Sequence, residues 1–304
     1  MDVLTDVLNT LELKGWLSSR RELAPYWRYD FATSKDCVFH IFRFGGCYLC
    51  VEGEPEPVRL EDGDVILFPT GHPHSLYDHP DSPLTRTVQL DYDAYRGHHL
   101  VFCEGEGPWP VMLCGAFHFE YPGNSPLLHS LPKVIHIPGE QGRMVEGFDE
   151  IVHLLARESA SRQPGSEVML RRLTELLFIH VVRAWINQQA ETSRGWVAAL
   201  RDPSISTALG LIHQSPERSW KVEELAEAVG LSRSMFSARF TQLVGEPPMK
   251  YLTLWRMHRA MRLLKHEVNT ETVAELLGYE SEVAFRKAFK REVGTPPAAY
   301  RKLG

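Results

Sequence analysis

Long hydrophobic runs are absent from this chain of 304 residues. No stretch reaches the roughly 18 consecutive apolar residues from which a membrane-spanning helix is built, so we expect no membrane partner. Residues 1–17 are amphipathic and carry acidic side chains, unlike a secretory signal or an Arg-rich transit peptide. Hydrophobic residues at 43% and charged residues at 24% are typical of a globular protein. The sequence therefore predicts a cytoplasmic protein that is long enough for two domains, or for three small ones.

Cysteine is scarce, and its five copies have no regular spacing. An odd number of irregularly spaced cysteines argues against a disulfide framework and favours reduced thiols.

The charges are unevenly distributed along the chain. Residues 201–304 hold 16 Lys and Arg against 12 Asp and Glu, whereas residues 1–200 hold 17 against 27. A basic C-terminal region on an acidic body is typical of a polyanion-binding module joined to a second domain.

The hydrophobic pattern changes its period near Pro138. Between residues 27 and 87 short apolar runs alternate with glycine turns, which predicts an all-β barrel or sandwich. Residues 82–110 are polar and predict an irregular insertion, and residues 111–119 return to strand character. After Pro138 the period is helical, with amphipathic helices predicted over 144–158 and 168–186.

One motif is written twice between Leu225 and Tyr300. The copies read LAEAVGLSRSMFSARFTQLVGEPPMKY and VAELLGYESEVAFRKAFKREVGTPPAAY. Each has a short helix, a glycine suited to a tight turn, and a second helix with Phe residues at i and i+4 on its buried face. This is the pattern of a helix-turn-helix, in which the second helix enters the DNA major groove.

The second helix of each copy also carries candidate base-reading residues, on the positions that lie off the Phe face. Arg and Lys pair with guanine edges, Ser is permissive, Glu accepts from cytosine and Val contacts a thymine methyl. The candidate readers are Arg233, Ser234, Ser237 and Ala238 in the first copy, and Glu282, Val283, Arg286 and Lys287 in the second. Other basic side chains are assigned to phosphates, namely Lys221, Lys250, Lys290 and Arg291. A solvated helix surface remains the alternative interpretation for any single residue of these sets.

The C-terminal hundred residues resemble the double helix-turn-helix domain of the AraC/XylS family of transcription regulators. The second copy, GYESEVAFRKAFKREVGTPPAAYR, matches the family signature, and residues 251–265 resemble its linker helix. This resemblance implies that promoter DNA is the partner and that the two recognition helices occupy successive major grooves. Ala238 departs from relatives that carry a base-reading Arg there, so the first copy is expected to contribute less specificity.

The N-terminal half resembles a cupin-type ligand-binding domain. Residues 63–74 fit the pattern G-x5-P-x-G-x2-H, ending at His74. FHIFRFGG at 39–46 resembles a degenerate first cupin motif, with His40 but without the His-x-His and Glu of cupin enzymes. The expected fold class is α+β, with a cupin-like barrel and flanking helices followed by an all-α tandem helix-turn-helix. We assign residues 1–195 to a sensor domain, with dimerisation helices at about 140–190, and residues 204–304 to the DNA-binding domain.

A metal site is one hypothesis for the barrel interior. His40 faces inward by strand parity, His74 is placed at the barrel mouth, and Cys114 lies on a later strand. With Cys103 or His72 these residues form a His/Cys set suited to zinc. Hydrogen-bonded histidines and packed cysteines are the alternative. A redox switch through Cys103 and Cys114 is a further hypothesis.

Three functions remain open at this stage. The first is a non-enzymatic transcription regulator in which a homodimer senses a small effector, a metal or a redox signal. The sequence leaves open whether it activates or represses, and RNA polymerase is a further partner if it is an activator. The second is a cupin metalloenzyme with an appended DNA-binding domain. The third is a DNA-architectural protein in which the barrel is purely structural.

Overall fold

The computed structural model describes residues 3–84, 86–88, 100–103, 109–119, 126–142, 145–161, 163–189 and 195–302. The chain forms two compact units. The sheet unit contains residues 13–120 and 131–189, and the helical unit contains residues 1–12, 121–130 and 190–304. The first twelve residues therefore group with the helical unit, although the sequence assignment placed them in the sensor domain.

The sheet unit has eleven strands within its described residues. They are β1 (Leu13–Glu22), β2 (Arg28–Phe31), β3 (Cys37–Arg43), β4 (Cys47–Val51), β5 (Val58–Leu60), β6 (Val65–Phe68), β7 (His74–Tyr77), β8 (Arg86–Val88), β9 (Leu100–Cys103), β10 (Val111–Phe119) and β11 (Ile135–Ile137). One sheet has the order β11-β6-β3-β10-β1-β9, and the other has the order β5-β4-β7-β2-β8.

Both sheets contribute to one hydrophobic core. Side chains from the first sheet, such as Val38 and Met112, share this core with Leu49 and Leu76 of the second. The α+β class predicted from the sequence is thus confirmed. In the described strands the predicted barrel takes the form of two separate hydrogen-bonded sheets around this core.

The prediction of an irregular insertion over residues 82–110 is wrong for two short segments. β8 pairs in parallel with β2, and β9 pairs in parallel with β1, each at the edge of a sheet. In strands of three and four residues, the alternation of apolar and polar residues is too short to be recognised within a polar segment. Residues 85, 89–99 and 104–108 of this region lie outside the described part of the chain.

In its described residues the sheet unit has three helices, α3 (Gly139–Gly142), α4 (Phe148–Glu158) and α5 (Ser166–Gln188). The helix α2 (Pro126–Ser130) belongs to the helical unit. α5 packs against β1 at Gly15, where an added Cβ would lie 2.9 Å from Thr174 Cγ2. The helices predicted at 144–158 and 168–186 correspond to α4 and α5.

The helical unit begins with α1 (Val3–Thr10) and continues after the sheet unit. Its later helices are α6 (Trp196–Arg201), α7 (Pro203–Gln214), α8 (Val222–Ala228), α9 (Arg233–Val244), α10 (Pro248–Lys265), α11 (Thr270–Leu276), α12 (Glu282–Val293) and α13 (Pro297–Lys302). Each Pro-Pro pair of the repeat stands where a new helix begins, α10 or α13, because proline suits the first helical turn. Among the helices described, none is long and apolar enough to cross a membrane.

A buried histidine joins α1, α7 and α10. His213 Nε2 lies 2.8 Å from the Tyr251 hydroxyl, and its ring stacks on Trp255 at 3.7 Å. On α1, Asp6 Oδ2 lies 3.5 Å from His213 Nδ1. Burial, aided by the charge of Arg259, lowers the pKa of His213 to about 3. The histidine is therefore neutral in the folded unit at neutral pH.

This burial predicts that stability falls as the pH falls from 7 to 5. The unfolded histidine takes up its proton near 6.5, but folded His213 does so only near 3. Between these values the unfolded chain binds more protons, so acid favours unfolding. Acidification from pH 7 to pH 5 should lower the free energy of unfolding by about 2 kcal/mol through His213.

Chemical denaturation of the wild type and of His213→Gln at both pH values measures the effect. Gln keeps a hydrogen-bonding group for Tyr251 but has no proton to gain, so the variant should lose less stability on acidification. Equal losses in the two proteins would contradict a neutral, buried His213.

Candidate DNA-binding surface and sensor cluster

Both copies of the repeat fold as a helix, a glycine turn and a second helix. The first copy comprises α8 and α9, with Gly230 at φ 70°, and Ser232 caps α9 by accepting from Met235 N–H. In the second copy, α11 and α12 meet at Gly278 (φ 69°), and Ser281 caps α12. A left-handed residue is the common way to reverse the chain after a helix.

The two glycines differ in their surroundings. A Cβ on Gly278 would collide with the backbone oxygen of Glu217, whereas a Cβ on Gly230 would meet open space. Glycine is therefore required twice over in the second copy, for its dihedral angle and for the close approach of another backbone segment. In the first copy only the dihedral angle requires it.

The Phe pairs predicted for the buried face lie in the cores of the two copies. Phe236 and Phe240 on α9 are fully buried, as are Phe285 and Phe289 on α12. Their rings contact each other at 5.5 Å in the first pair and 5.6 Å in the second. This packing turns the opposite face of each helix toward solvent.

All eight candidate base readers lie on those outward faces. Six of them are exposed and two, Ser237 and Glu282, are half-buried. On α9 the candidates line a shallow groove of about 890 Å³, together with Thr241 and Gln242. These two residues were missed in the sequence, although they lie four positions after Ser237 and Ala238 and so continue the same helical face. Met235, 56% exposed, is a further apolar side chain on this helix.

Ion pairs hold some candidate readers on the protein surface. Arg286 Nη2 lies 2.6 Å from Glu282 Oε1 one turn earlier on α12, and Arg233 Nη1 lies 3.0 Å from Glu223 Oε1 on α8. Exposed pairs of this kind are worth only about 0.2–1 kcal/mol. A guanine edge or a phosphate can therefore take over either guanidinium at small cost.

The four candidate phosphate contacts divide into two groups. Lys221 and Lys290 are exposed. Lys250 and Arg291 both contact Glu292, whose side chain is only 6% exposed. The Lys250 hydrogen bond is the main cause that lowers the pKa of Glu292, which keeps it ionised. Lys250 thus ties α10 to α12 in addition to any contact with DNA.

A second buried carboxylate fixes the first recognition helix. Asp202 caps α7 by accepting from Ile205 N–H at 2.9 Å, and its other oxygen accepts from Arg239 Nε at 2.6 Å. Because Asp202 is 7% exposed, this charge-assisted pair orients α9 against the start of α7. The sequence shows the proline after Asp202 but not the long-range arginine.

In the sheet unit, the cupin-like segment forms a turn between two strands. Gly63 precedes β6, and Gly71 (φ 60°) precedes β7. A Cβ at Gly71 would collide with the backbone oxygen of Ser34, so only glycine fits there. β7 then begins at His74, whose ring is stacked between Phe68 at 3.7 Å and Phe31 at 4.8 Å.

The structure brings His40, His74 and Cys114 together in a buried hydrogen-bonded chain. His74 Nδ1 lies 2.8 Å from the His72 carbonyl oxygen, so this nitrogen carries the hydrogen. His40 Nε2 then donates to His74 Nε2 at 2.8 Å, and His40 Nδ1 accepts from the Cys114 thiol at 3.3 Å. All three groups are neutral in this order.

The pKa shifts of His40, His74 and Cys114 agree with three neutral side chains. Burial lowers the pKa of His74 to about 4. Burial, followed by electrostatic interactions with His74 and Arg21, lowers the pKa of His40. Burial also raises the pKa of the Cys114 thiol.

This arrangement limits the predicted zinc set. Cys114 lies at Nδ1 of His40 and His74 lies at Nε2, on opposite edges of one ring, so a single ion cannot bind all three as they stand. No group of three ligands occurs among the described residues. The backbone of Cys103 lies in β9, but its side chain is outside the described part of the structure. His40 and His74 remain a pair of converging nitrogen donors.

Comparison with known proteins identifies both units. A family model described as "Cupin" matches residues 2–187, and one described as "Helix-turn-helix domain" matches residues 225–303. A "Putative AraC-like transcription regulator" from Streptomyces lividans is 32% identical over 99% of this chain and 98% of its own length. The chain belongs to the AraC-like transcription regulators. It is a DNA-binding transcription regulator with a cupin-like N-terminal domain.

A further relative matches over the full length, and a solved DNA-binding domain matches part of the chain. The HTH-type transcriptional regulator AlkR from Acinetobacter baylyi is 28% identical over 99% of both chains. Among solved structures, the DNA-binding domain of AdpA in complex with a target DNA is 34% identical and covers 34% of this chain and 92% of its own, with a TM-score of 0.32.

For this AraC-like regulator, α12 predicts a separation between specificity and general affinity. Arg286→Ala should reduce discrimination between the preferred operator and a single-base variant by about 1–3 kcal/mol, because a base-edge contact is lost. Lys290→Ala, four residues further on, should weaken binding to both duplexes equally. Fluorescence anisotropy on operators selected from random duplexes measures both effects. Equal weakening of both duplexes by Arg286→Ala would contradict the assignment of Arg286 as a base reader.

Proposed function

We propose that the cupin-like unit senses a small effector and that this signal changes how the helical unit binds promoter DNA. The observation that supports the DNA half is the pair of outward faces on α9 and α12, whose buried faces are fixed by Phe pairs. The sensing half is supported by the polar cluster at the centre of an otherwise apolar core. An effector shifts the equilibrium only if it binds one state of the regulator more tightly than the other.

Zinc stays a prediction for this cluster. The two facing Nε2 atoms of His40 and His74 suit a zinc ion, which would order the cluster as a structural ligand set. Zinc binding requires His40 to move its proton to Nδ1. It also requires further donors besides His40, His74 and Cys114. Elemental analysis of the purified protein decides between a metal-bound pair and the neutral hydrogen-bonded chain.

An enzymatic role for the cupin-like unit is the alternative function. Its first motif keeps His40 but lacks the second histidine and the glutamate with which cupin enzymes hold a catalytic metal. We therefore infer a non-enzymatic sensor in a cytoplasmic regulator. Turnover of a small substrate by the metal-loaded protein would favour the enzyme instead. Promoter occupancy that no small molecule, metal or oxidant alters would favour the architectural alternative.

Salt dependence tests the DNA-binding half directly. Each phosphate contact releases counterions, and the logarithm of the association constant falls with the logarithm of salt concentration by about 0.9 per contact. Four contacting side chains predict a slope of about −4 for each protomer, and the two exposed lysines alone predict about −2. Titration of a selected operator and a scrambled duplex at several salt concentrations gives the slope. A flat dependence on salt would contradict promoter binding through these residues.

We further propose that the regulator is a homodimer, as the AraC-like arrangement implies. α5 exposes apolar side chains toward solvent, including Val168 at 53% and Leu176 at 44%, and Leu154 on α4 is 37% exposed. Leu176→Glu should convert a dimer to a monomer in analytical ultracentrifugation, because it places a charge in an apolar contact. Leu84→Glu, also at an exposed leucine of the sheet unit (54%), is the matched control and should leave the mass unchanged. An unaltered mass for Leu176→Glu would exclude this face as the dimer interface.

We also propose that the DNA-bound dimer is an activator that contacts RNA polymerase.

A further inference from the structure

The sheet unit contains a buried arginine that the DNA-binding function does not use. Arg21 lies on β1 and is 3% exposed. Its guanidinium carbon lies 4.7 Å from the ring centre of Tyr29 and 4.3 Å from that of Phe102. Its Nε–H has no hydrogen-bond partner among the described residues. A permanent positive charge thus lies inside the unit with one donor unused.

The neighbours of Arg21 do not neutralise it. Cys114 interacts with the guanidinium, but burial raises the pKa of this thiol and keeps it protonated. The charge of Arg21 also helps to lower the pKa of His40, which is therefore uncharged. On its own strand, the carboxylate of Glu22 pairs with Arg20 at 3.0 Å. Within the described ranges, no carboxylate contacts Arg21.

Other arginines of the sheet unit show the contrast. Each of several has a carboxylate partner within 3.3 Å, namely Arg20 with Glu22, Arg28 with Asp30, Arg43 with Asp62 and Arg59 with Glu61. A buried charge without a counter-ion costs several kcal/mol, and cation–π contacts return about 0.5–2 kcal/mol each. The more buried arginine is thus the one that lacks an anion.

A second cation marks the outer side of the same ring system. The guanidinium carbon of Arg86, on β8, lies 5.7 Å from the ring centre of Phe102. β8 is the edge of the second sheet and β9, which carries Phe102, is the edge of the first. Arg86 is exposed and Phe102 is half-buried. Two guanidiniums on one phenylalanine therefore produce a positive potential where the two sheet edges meet.

We propose that Arg21 is the anchor for the carboxylate of a small apolar organic acid, which enters past Phe102 with Arg86 at the mouth of the site. The proposal rests on the sensing role of the cupin-like unit and assigns a chemical class to its effector. A guanidinium presents paired donors that match a planar carboxylate. The aromatic rings of Tyr29 and Phe102 suit an apolar body, and one buried cation suits a monoanion better than a phosphate dianion.

Benzoate is the probe, and benzamide is its uncharged counterpart of the same shape. In calorimetry and thermal melting of the full chain without DNA, benzoate should bind and raise the Tm, and benzamide should not. Arg21→Met should weaken benzoate binding at least about tenfold. Arg28→Gln removes an arginine that already has its own carboxylate, and it is the matched control that should bind benzoate normally.

The unliganded variant gives a second, independent readout. If Arg21 is a charge that awaits an anion, its replacement by an apolar residue of similar size should leave the Tm unchanged or raise it. If Arg21 serves a structural role, the Tm of Arg21→Met should fall and benzoate should have no effect on the wild type. That pair of results would overturn the proposal. Arg86→Gln should weaken benzoate binding severalfold and reduce its dependence on salt.

DNA binding separates this proposal from the sensing function. Operator affinity of the wild type is measured with and without benzoate, after binding to the free protein is known. A benzoate-dependent change that Arg21→Met abolishes supports both the site and the sensing role. Benzoate binding without any change in operator affinity supports the carboxylate site and contradicts its regulatory role. Absence of benzoate binding overturns the site, whatever the operator affinity.

Discussion

The arrangement of the DNA-binding unit depends on α10, a helix that contributes to the cores of both helix-turn-helix copies. Toward the first copy, Tyr251 packs edge-on against Phe240 at 5.8 Å. Toward the second copy, Met257, Met261 and Leu264 join the core around the paired phenylalanines of α12. Because both sets are buried on one continuous helix, the two recognition helices are fixed relative to each other. Close-packed protein interiors have low compressibility, so this packing resists relative movement of the two helices.

The two copies use this shared helix differently. The second copy is bound to it through Lys250 and the buried Glu292, and its turn requires glycine for steric reasons as well as for its dihedral angle. The first copy also packs on α10, and its additional polar contact is with Asp202 at the start of α7. The first copy thus depends on a contact at the start of α7, and the second on a contact with α10.

Local patterns predicted the helical unit well, and long-range contacts account for what was missed. Glycine turns and the i, i+4 phenylalanines predicted α8, α9, α11 and α12 because each signal lies within a few residues. Strand parity predicted that His40 faces inward, but His74, expected at the barrel mouth, is buried beside it. The order of the hydrogen bonds depends on which ring nitrogen of His40 faces Cys114, 74 residues away. The sequence did not predict a role for Arg21, because the side chains that contact it lie on other strands. The amphipathic period of α1 likewise does not reveal that it packs on α7 and α10.

The central claim is that α10 holds two recognition helices for successive major grooves on one face of DNA. Hydroxyl-radical footprinting of a selected operator tests it most directly, with the wild type compared with a variant that carries Arg286→Ala and Lys287→Ala. The account predicts two protected patches on one face, about 10 base pairs apart, and loss of the patch under α12 in the variant. A single protected patch in the wild type, or two patches that the variant leaves intact, would contradict it.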